Sequence, residues 1–413
     1  MKAWLQKGFW CWLALAGAAA GRGGLAEWEE RLLFNTPDQS VVARLSGTLD
    51  IEAYWLSTPP PGLLFTRERF LLNPRLTLLL DAQVGELVYV FGQARVDRGF
   101  DPSDRALQVR VDELGVRVTL RREAKHSLQL GQFATVVGNW VPRHGSWENA
   151  FVTAPLPYEN LTAIWDGAAP GSSTVLLNWA HLSGGPSDEY ADKRLRLPVI
   201  WGPSYTTGIA AMGEVGRWTY AAEIKNAALS SRPKSWSWDR AGLHTPTVSG
   251  RLGFRPNMMW DFGASVSSGT YLRPAAAPTV APGFGLRDYH QVTLASDVGF
   301  AWHHWQLWAE YFHTRFAIPT IGPADTRAYY VEAKYKFTPR LSLALRWNQQ
   351  TYGRIRHLGG MTPWGRDAWR IDQAVVYRFS PHVQLKFQTS LLHENARGWG
   401  NRVNFAAQVT ARF

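Results

Sequence analysis

The chain has 413 residues, of which 46% are hydrophobic and 19% charged, and its formal net charge at pH 7 is +11. A helical membrane protein is excluded, because no internal segment has the run of roughly 20 apolar residues that a spanning helix needs. The basic residues alternate with apolar ones along the whole chain instead of forming patches, so we expect no nucleic-acid partner.

The N-terminal 20 residues have the pattern of a secretory signal peptide. Two lysines precede an apolar stretch from Gly8 to Leu15, and small residues follow it. This stretch is too short to span a bilayer, although an uncleaved anchor is the alternative interpretation. We expect a signal peptide over residues 1–20, with cleavage as late as residue 26 as a second option, and a short N-terminal periplasmic segment over residues 21–40.

Residues 41–55 predict the first of many long β-strands. Apolar residues at the odd positions alternate there with polar or charged residues at most even positions, such as Arg44, Asp50 and Glu52. Alternation places the two sets on opposite faces of a sheet. Soluble strands usually have about 5–6 residues, so a strand of about 15 fits a tilted barrel wall better than a sandwich.

The same alternation recurs along the chain to its last residue. From Val403 onward the odd positions are apolar and the chain ends on Phe413. A terminal aromatic resembles the C-terminal strand of outer-membrane barrels, where it serves as an assembly signal, and we predict that role for Phe413. The alternation slips near Val111 and Asp112, which predicts a β-bulge.

Short turns and long loops alternate between the predicted strands, as expected of bacterial barrels. The count of long loops predicts an all-β, transmembrane antiparallel β-barrel over residues 41–413 with about 18 strands, or about 16 as the alternative. An even strand count puts both termini in the periplasm. Tryptophans near predicted strand ends indicate interfacial girdles; they are Trp55, Trp140, Trp218, Trp302, Trp305, Trp347 and Trp369.

Together these features make the chain resemble the porins of Gram-negative outer membranes. Within the chain, residues 112–116 (DELGV) and 128–133 (LQLGQF) resemble a strand pair of phosphate-selective porin O/P-like proteins. The basic residues here are mainly arginines, whereas that family lines its pore with lysines, so phosphate selectivity is not implied. The resemblance implies a location in the cell outer membrane and a channel function.

If the apolar face meets lipid, the polar face lines the lumen and many of its charges pair across strands. A basic excess would give a mild preference for anions, whereas the alternative is that the ion pairs only stiffen the wall. The predicted pore-lining basic residues are Arg44, Arg75, Arg95, Arg117, Arg251, Arg346, Arg370 and Arg378.

The loop after the fifth strand, Val141 to Asn160, is predicted to narrow the pore. It occupies the place of the third outer loop, which folds inward in the general porins that this chain resembles. Its prolines would stiffen such a fold, and an ordinary surface loop is the alternative. The candidate constriction residues are Arg143, His144, Trp147 and Glu148.

No P-loop, dinucleotide fingerprint, zinc-spaced histidine pair or serine nucleophile elbow occurs, so we expect neither enzymatic activity nor a cofactor or metal site. The leading hypothesis is a passive diffusion channel for small hydrophilic solutes, with a mild preference for anions. The alternative is a barrel scaffold that sheathes a partner, such as an electron-transfer cytochrome or a lipid or export component. Outer-membrane lipid and small solutes are the expected partners, and a homo-oligomer or a protein partner in the lumen is compatible with the sequence.

Overall fold

The computed structural model describes residues 30–57, 61–98, 107–121, 125–181, 193–233, 242–395 and 401–413. The expected signal peptide, residues 1–20, lies outside the described residues. None of the helices in the described part has the length and hydropathy of a transmembrane helix.

The described chain is built mainly of antiparallel strands. Sixteen of them close into one barrel, because β21 returns to pair with β2 from Thr48↔Arg412 to Trp55↔Phe405. These wall strands are β2 (Val41–Trp55), β3 (Phe70–Val84), β4 (Val88–Asp97), β5 (Gln108–Arg121), β6 (His126–Phe133), β9 (Thr206–Val215), β10 (Trp218–Lys225), β11 (Thr247–Phe254), β12 (Trp260–Thr270), β13 (His290–Trp302), β14 (Trp305–Phe316), β15 (Ala324–Lys336), β16 (Leu341–Tyr352), β19 (Ala368–Arg378), β20 (Val383–Glu394) and β21 (Arg402–Arg412).

The remaining elements are short and lie outside the wall. They are β1 (Leu33–Asn35), the pair β7 (Leu161–Trp165) and β8 (Arg196–Pro198), the pair β17 (Arg354–His357) and β18 (Gly360–Pro363), the helices α1 (Leu156–Glu159) and α2 (Ser173–Trp179), and 3-10 turns at Val141–Arg143, Pro274–Thr279 and Leu286–Asp288.

The barrel has 16 strands, the alternative count, and not about 18. The larger number includes wall strands in the chain between β6 and β9, which is a single connection. Among the described residues of this connection, β7 pairs with β8 in a separate two-stranded sheet and α2 is helical. The apolar stretches there are therefore parts of one loop.

Side chains alternate between an apolar outer face and a polar inner face, as the sequence predicts. In β16, Leu343 and Leu345 are 41% and 52% exposed on the outside, whereas Arg346 and Asn348 are fully buried inside. An apolar outer surface of this kind is stable in a bilayer and not in water. The chain is therefore a membrane-spanning β-barrel.

A β-bulge lies where the alternation slips in the sequence. In the ladder between β4 and β5, Gln93 pairs with Glu113 and Ala94 with Val111, which leaves Asp112 as the extra residue. Before the bulge the exposed residues of β5 are at odd positions, and after it they are at even positions, from Leu114 onward. The bulge turns Asp112 into the lumen, where it is completely buried.

The two ends of the barrel differ. At one end, termed the turn end, short turns such as His303-His304 join the strands, and the wall begins at Val41 and finishes at Phe413. At the other, termed the loop end, long connections pack around an apolar cluster that includes Leu176, Tyr271 and Trp364. The loop end is therefore largely filled with side chains, while cavities lie toward the turn end.

Two separate chain segments close the barrel at the turn end. The C-terminal Phe413 exchanges backbone hydrogen bonds with Gly47, at 2.9 and 3.1 Å. Where β21 stops, β1 takes its place along β2, from Leu33↔Arg44 to Asn35↔Val42. The edge of β2 is thus covered by both ends of the described chain, which removes a free sheet edge.

Tryptophans lie on the outer face near both ends of the wall. Trp55 and Trp347 are 49% and 37% exposed toward the loop end, and Trp218 and Trp302 are 49% and 54% exposed at the turn end. Trp140, which we expected in the same girdles, is only 5% exposed and belongs to an apolar cluster inside the lumen. The girdle prediction is wrong for Trp140, because the loop that carries it folds inward.

Candidate pore constriction

Between β6 and β9 the chain leaves the wall over residues 134–205 and folds into the barrel; we term this segment the inserted loop. It is the third connection at the loop end, and it contains residues 141–160 of the predicted constriction. Phe151, Leu156 and Tyr158 of this loop are at most 2% exposed. A buried segment with so little regular structure needs hydrogen-bond partners for its backbone.

Glu310 of β14 provides the first set of partners. Its carboxylate accepts hydrogen bonds from the backbone amides of Asn139 and Trp140, the second at 3.1 Å, and from the hydroxyl of Tyr158 at 2.8 Å. One inward carboxylate therefore fixes two separate parts of the inserted loop. Such charge-assisted bonds are stronger than those between neutral groups.

Amide side chains of neighbouring wall strands also accept hydrogen bonds from the backbone of the inserted loop. The Oδ1 atom of Asn348 accepts the amide of Leu156 at 3.1 Å. The Oε1 atom of Gln388 accepts the amides of Val152 and Thr153 at 2.7 and 3.2 Å. The loop backbone thus lies against β14, β16 and β20 and is held there by side chains of the wall.

Two residues of β10 fix the stems of the inserted loop. The ammonium group of Lys225 donates to the backbone oxygens of Phe133 and Ser204, at 2.5 and 3.3 Å, which are the two ends of the excursion. Glu223 accepts from the hydroxyl of Thr135 at 2.6 Å. Both stems are therefore clamped to the same strand.

Arg143, a predicted constriction residue, lines the 1020 Å³ cavity of the lumen and contacts the wall. Its guanidinium group pairs with Glu332 at 2.7 Å, donates to the hydroxyl of Tyr330 at 2.8 Å and lies 4.3 Å from the ring centroid of Trp308. Its charge is thus used to attach the loop to β15.

Arg346 and Arg370, predicted to line the pore, are covered by the inserted loop. Both donate to the backbone oxygen of Ala154, at 3.2 and 2.5 Å, and both pair with Asp372 at 3.0 Å. Arg370 also forms a close ion pair with Glu159 of the loop. Their exposed fractions are 0% and 2%, so the structure places them as loop anchors.

Arg44, Arg75 and Arg95 lie on the other side of the lumen, where the inserted loop does not cover the wall. Arg75 pairs with Asp50 and Glu52 at 3.2 and 2.5 Å, and Arg95 pairs with Asp112 at 3.0 Å. All three arginines line a cavity of 610 Å³.

The other predicted basic residues have separate environments. Arg117 donates twice to the side-chain oxygen of Gln129, at 2.9 and 2.7 Å, and Arg251 pairs with Asp297 at 2.6 Å. Arg378 lies 5.2 Å from the ring centroid of Trp147. The structure therefore does not bring the eight predicted arginines together into one ring.

The remaining constriction residues lie at the tip of the inserted loop. Trp147 is 7% exposed and lies 4.2 Å below the guanidinium group of Arg412, while Glu148 is exposed and lines the 610 Å³ cavity. The Nε2 atom of His144 is 2.6 Å from the hydroxyl of Tyr205. His144 is outside the membrane-spanning strands, and its burial lowers its pKa to about 4, so it is uncharged at neutral pH.

Three cavities adjoin one another along β21, which contributes lining residues to each of them. A pocket of 90 Å³ opens at the loop end, and the 610 Å³ cavity lies toward the turn end. Between them is a cavity of 10 Å³, which shares Pro61 with the first and Tyr54, Leu64 and Thr153 with the second. That is the volume of about one water molecule, and we term it the neck.

Two further cavities lie toward the turn end. One of 1020 Å³ and one of 400 Å³ share lining residues Arg117, Thr135 and Pro142, and the smaller one also shares Leu79 and His144 with the 610 Å³ cavity. Above them an apolar cluster that includes Val199 and Phe312 fills the barrel. The two cavities are therefore closed in the direction of the loop end, and we term them the blind vestibule.

Several residues of this site were not predicted. Glu310 and Lys225 fit the alternation of ordinary lumen charges, and Glu310 contacts Trp140 across 170 positions of sequence while Lys225 contacts Phe133 across 92. Leu64 lies in the first long loop, between Leu63 and Phe65. This short apolar run is the one sequence signal that favours an inward position there.

No protein-family model matches the chain, and no curated protein matches its sequence. Solved structures do match: OmpF of Salmonella typhi in complex with daunomycin has 12% identity and a TM-score of 0.58, covering 92% of this chain and 100% of that one. An anion-selective porin from Comamonas acidovorans has 11% identity and a TM-score of 0.53, covering 90% and 100%.

The outer-membrane channel DcaP of Acinetobacter baumannii gives a similar result, with 10% identity, a TM-score of 0.55, and 92% and 99% of the two chains covered. At these identities the likeness concerns the fold. It agrees with the closed antiparallel barrel, the apolar outer surface and the loop folded into the lumen. The chain has the fold of the outer-membrane porins.

Proposed function

We propose that this barrel is an outer-membrane channel for the passive diffusion of small hydrophilic solutes, with a mild preference for anions. The observation that carries the proposal is the row of three adjoining cavities along β21, inside a closed wall whose outer face is mainly apolar. Charged and polar side chains line this route, as a hydrated solute requires.

The electrostatics of the route support the anion preference. Arg44, Arg75, Arg95 and Arg412 line the 610 Å³ cavity. Arg412 donates to the backbone oxygen of Pro381 and lies over a tryptophan ring, and neither partner neutralises its charge. Asp50, Glu148 and Glu159 line the same cavity, so the excess of positive charge is small.

The neck sets the size limit in this proposal. It holds about one water molecule, so larger solutes pass only when side chains such as Leu64 move. Reconstitution in planar bilayers tests the channel directly. We expect small, stable open steps with a reversal potential that indicates anion preference, and a barrel that inserts without conducting would refute the proposal.

The second candidate is a scaffold for a partner, and the blind vestibule favours it. At 1020 Å³ the vestibule is large enough for a peptide segment that enters from the turn end. The inserted loop fills the rest of that side, so a whole folded partner such as a cytochrome has no room there. Extraction in mild detergent distinguishes the two functions, because a scaffold retains a stoichiometric partner.

We also propose the orientation and the processing of the chain. The turn end, with both ends of the wall, would face the periplasm, and the signal peptide over residues 1–20 would be removed. Short turns on the periplasmic side are the rule in bacterial barrels. N-terminal sequencing of the mature protein and protease treatment of intact cells would test both parts.

The outer surface supports a homo-oligomer. At the turn end, β10 and β13 expose Trp218 and Trp302, whereas β3 and β5 expose Val84 and Leu120 there, and the exposed aromatic beside β2 is Phe34 of β1. Aromatic girdles mark contact with lipid headgroups, so the aliphatic outer residues of β3 and β5 favour a protein neighbour on the β2–β9 side. We expect crosslinks between copies through this side, and none through β12–β15.

A further inference from the structure

The outer face of the wall is mainly apolar, and the arginines, lysines and acids at its outward positions are confined to one place among the described strands. Arg315 and Arg327 are the basic residues at outward positions of the described barrel strands. They lie on neighbouring strands at the loop end, where Arg315 pairs in register with Asp325, and His313 with Arg327. A charged group facing hydrocarbon is costly, so these positions mark where the hydrocarbon ends.

The hairpin formed by β17 and β18 adds two further arginines at the same place. The amide of Gly353 donates to the backbone oxygen of Asp325 at 2.8 Å, which holds the hairpin beside the start of β15. Ile355 is 2% exposed and packs into the apolar cluster of the loop end. Since side chains alternate along a strand, the exposed Arg354 and Arg356 point away from that cluster.

We term these four residues, Arg315, Arg327, Arg354 and Arg356, the rim patch. Four guanidinium groups share one neighbouring carboxylate, that of Asp325, which pairs with Arg315 at 2.7 Å. Among the described residues no ion pair joins the other three arginines to an acid. Guanidinium groups bind phosphate oxygens through paired, charge-assisted hydrogen bonds.

An aromatic stack lies just below the rim patch on the same face. Trp347 and Trp369 are parallel to within 12°, with ring centroids 5.6 Å apart, and His393 stacks on Trp369 at 5.3 Å. Thr351, opposite Arg327, is four residues or about 13 Å of strand beyond Trp347. Aromatic belts mark the interface, so the arginines lie at the height of the headgroup phosphates.

We propose that the rim patch binds the phosphate headgroups of the lipid leaflet around the loop end of the barrel. The free anion and the lipid share this phosphate chemistry, and the apolar wall directly beneath the patch commits the site to the lipid. The site faces outward and uses no residue of the solute route. It therefore stands or falls independently of the channel function.

The test measures lipid binding by the full barrel in a zwitterionic detergent. The probes are short-chain phosphatidic acid, phosphatidylcholine with the same chains, and inorganic phosphate. The variant Arg327→Gln/Arg354→Gln/Arg356→Gln removes three exposed charges and should bind phosphatidic acid at least about tenfold more weakly than the unmodified barrel. The triple variant Arg217→Gln/Lys336→Gln/Arg340→Gln, exposed at the turn end, is the matched control and should keep full affinity.

The proposal is overturned if the rim variant binds phosphatidic acid as tightly as the unmodified barrel, or if the control variant loses as much affinity as the rim variant. It is also overturned if inorganic phosphate competes at the same concentration as the lipid, since the site would then be one for free anions. Unchanged migration of the rim variant as the compact form on semi-native gels verifies that the barrel is intact.

Discussion

The two sides of the lumen have walls with the same alternation of side chains, but the inserted loop covers one side and leaves the other open. On the side of β10 to β20, inward side chains such as Glu310, Asn348 and Arg370 bind the backbone of the inserted loop, which fills that side above the blind vestibule. On the side of β2 to β4, inward charges such as Arg75 and Asp50 pair with one another and line an open cavity. Whether a lumen residue lines a pore therefore depends on what folds against it.

Among the changes considered, removal of Glu310 is expected to reduce the difference between the covered and the open side most strongly. Glu310→Ala leaves two buried amides and one buried hydroxyl without their acceptor, at roughly 1–3 kcal/mol each. We expect the loop to detach from the filled side and the single-channel conductance to rise several-fold. Glu148→Ala, which removes an exposed carboxylate from the open side, is the control, and an unchanged conductance in Glu310→Ala would contradict the anchoring role.

The ion pair between Arg370 and Glu159 should give the next largest effect. Arg370→Met leaves two carboxylates, Glu159 and Asp372, buried without this partner, a loss of about 3–5 kcal/mol. We expect a lower temperature for the loss of the compact form on semi-native gels. Adding Glu159→Gln should recover part of that loss, and a double variant as unstable as the single one would show that the pair is not the cause.

Substitutions at the neck should change the conductance less, because they alter only one narrow point on the open side. Leu64→Ala should widen the 10 Å³ cavity and raise the conductance by about twofold, while Leu64→Trp should lower it. Leu79 lines the wider cavity beyond the neck, so Leu79→Ala should have little effect on the conductance. Equal responses to substitutions at 64 and 79 would place the narrowest point elsewhere.

The smallest effect concerns ion selectivity. Arg412→Gln removes a charge that faces the open side, and we expect the anion-to-cation permeability ratio to fall by less than about twofold. Arg217→Gln removes an exposed charge from the blind vestibule and should leave the ratio unchanged. Reversal potentials in a salt gradient compare the two variants, and a larger shift in Arg217→Gln would identify the vestibule as the conducting side.

The sequence predicted the wall better than it predicted the site. Alternation is local, so it located even the bulge at Asp112 and the outward positions of β16. Arg346 and Arg95 have the same pattern, yet one anchors a loop and the other lines a cavity. The difference arises from Ala154, which is 192 positions from Arg346, and single-strand periodicity contains no information about such a contact.

The strand count failed for a related reason. Residues 161–165 are apolar and extended, like a wall strand, but they pair with β8 and stay inside the loop. Periodicity identifies an extended segment and not its partner. Trp140 shows the same limit, since its place in an apolar cluster of the lumen follows from the fold of the loop that carries it.

The joining of β2 to both ends of the described chain has a consequence for biogenesis. The pairing of Thr48 with Arg412 is among the longest-range contacts that a chain of this length permits, so the cylinder cannot be completed until the last strand has been synthesised. Until then the β2 edge is an open template for unwanted strand pairing, and β1 can shield only its first few residues. We therefore expect a chaperone that holds the nascent chain to prevent unwanted pairing mainly at the edge of β2.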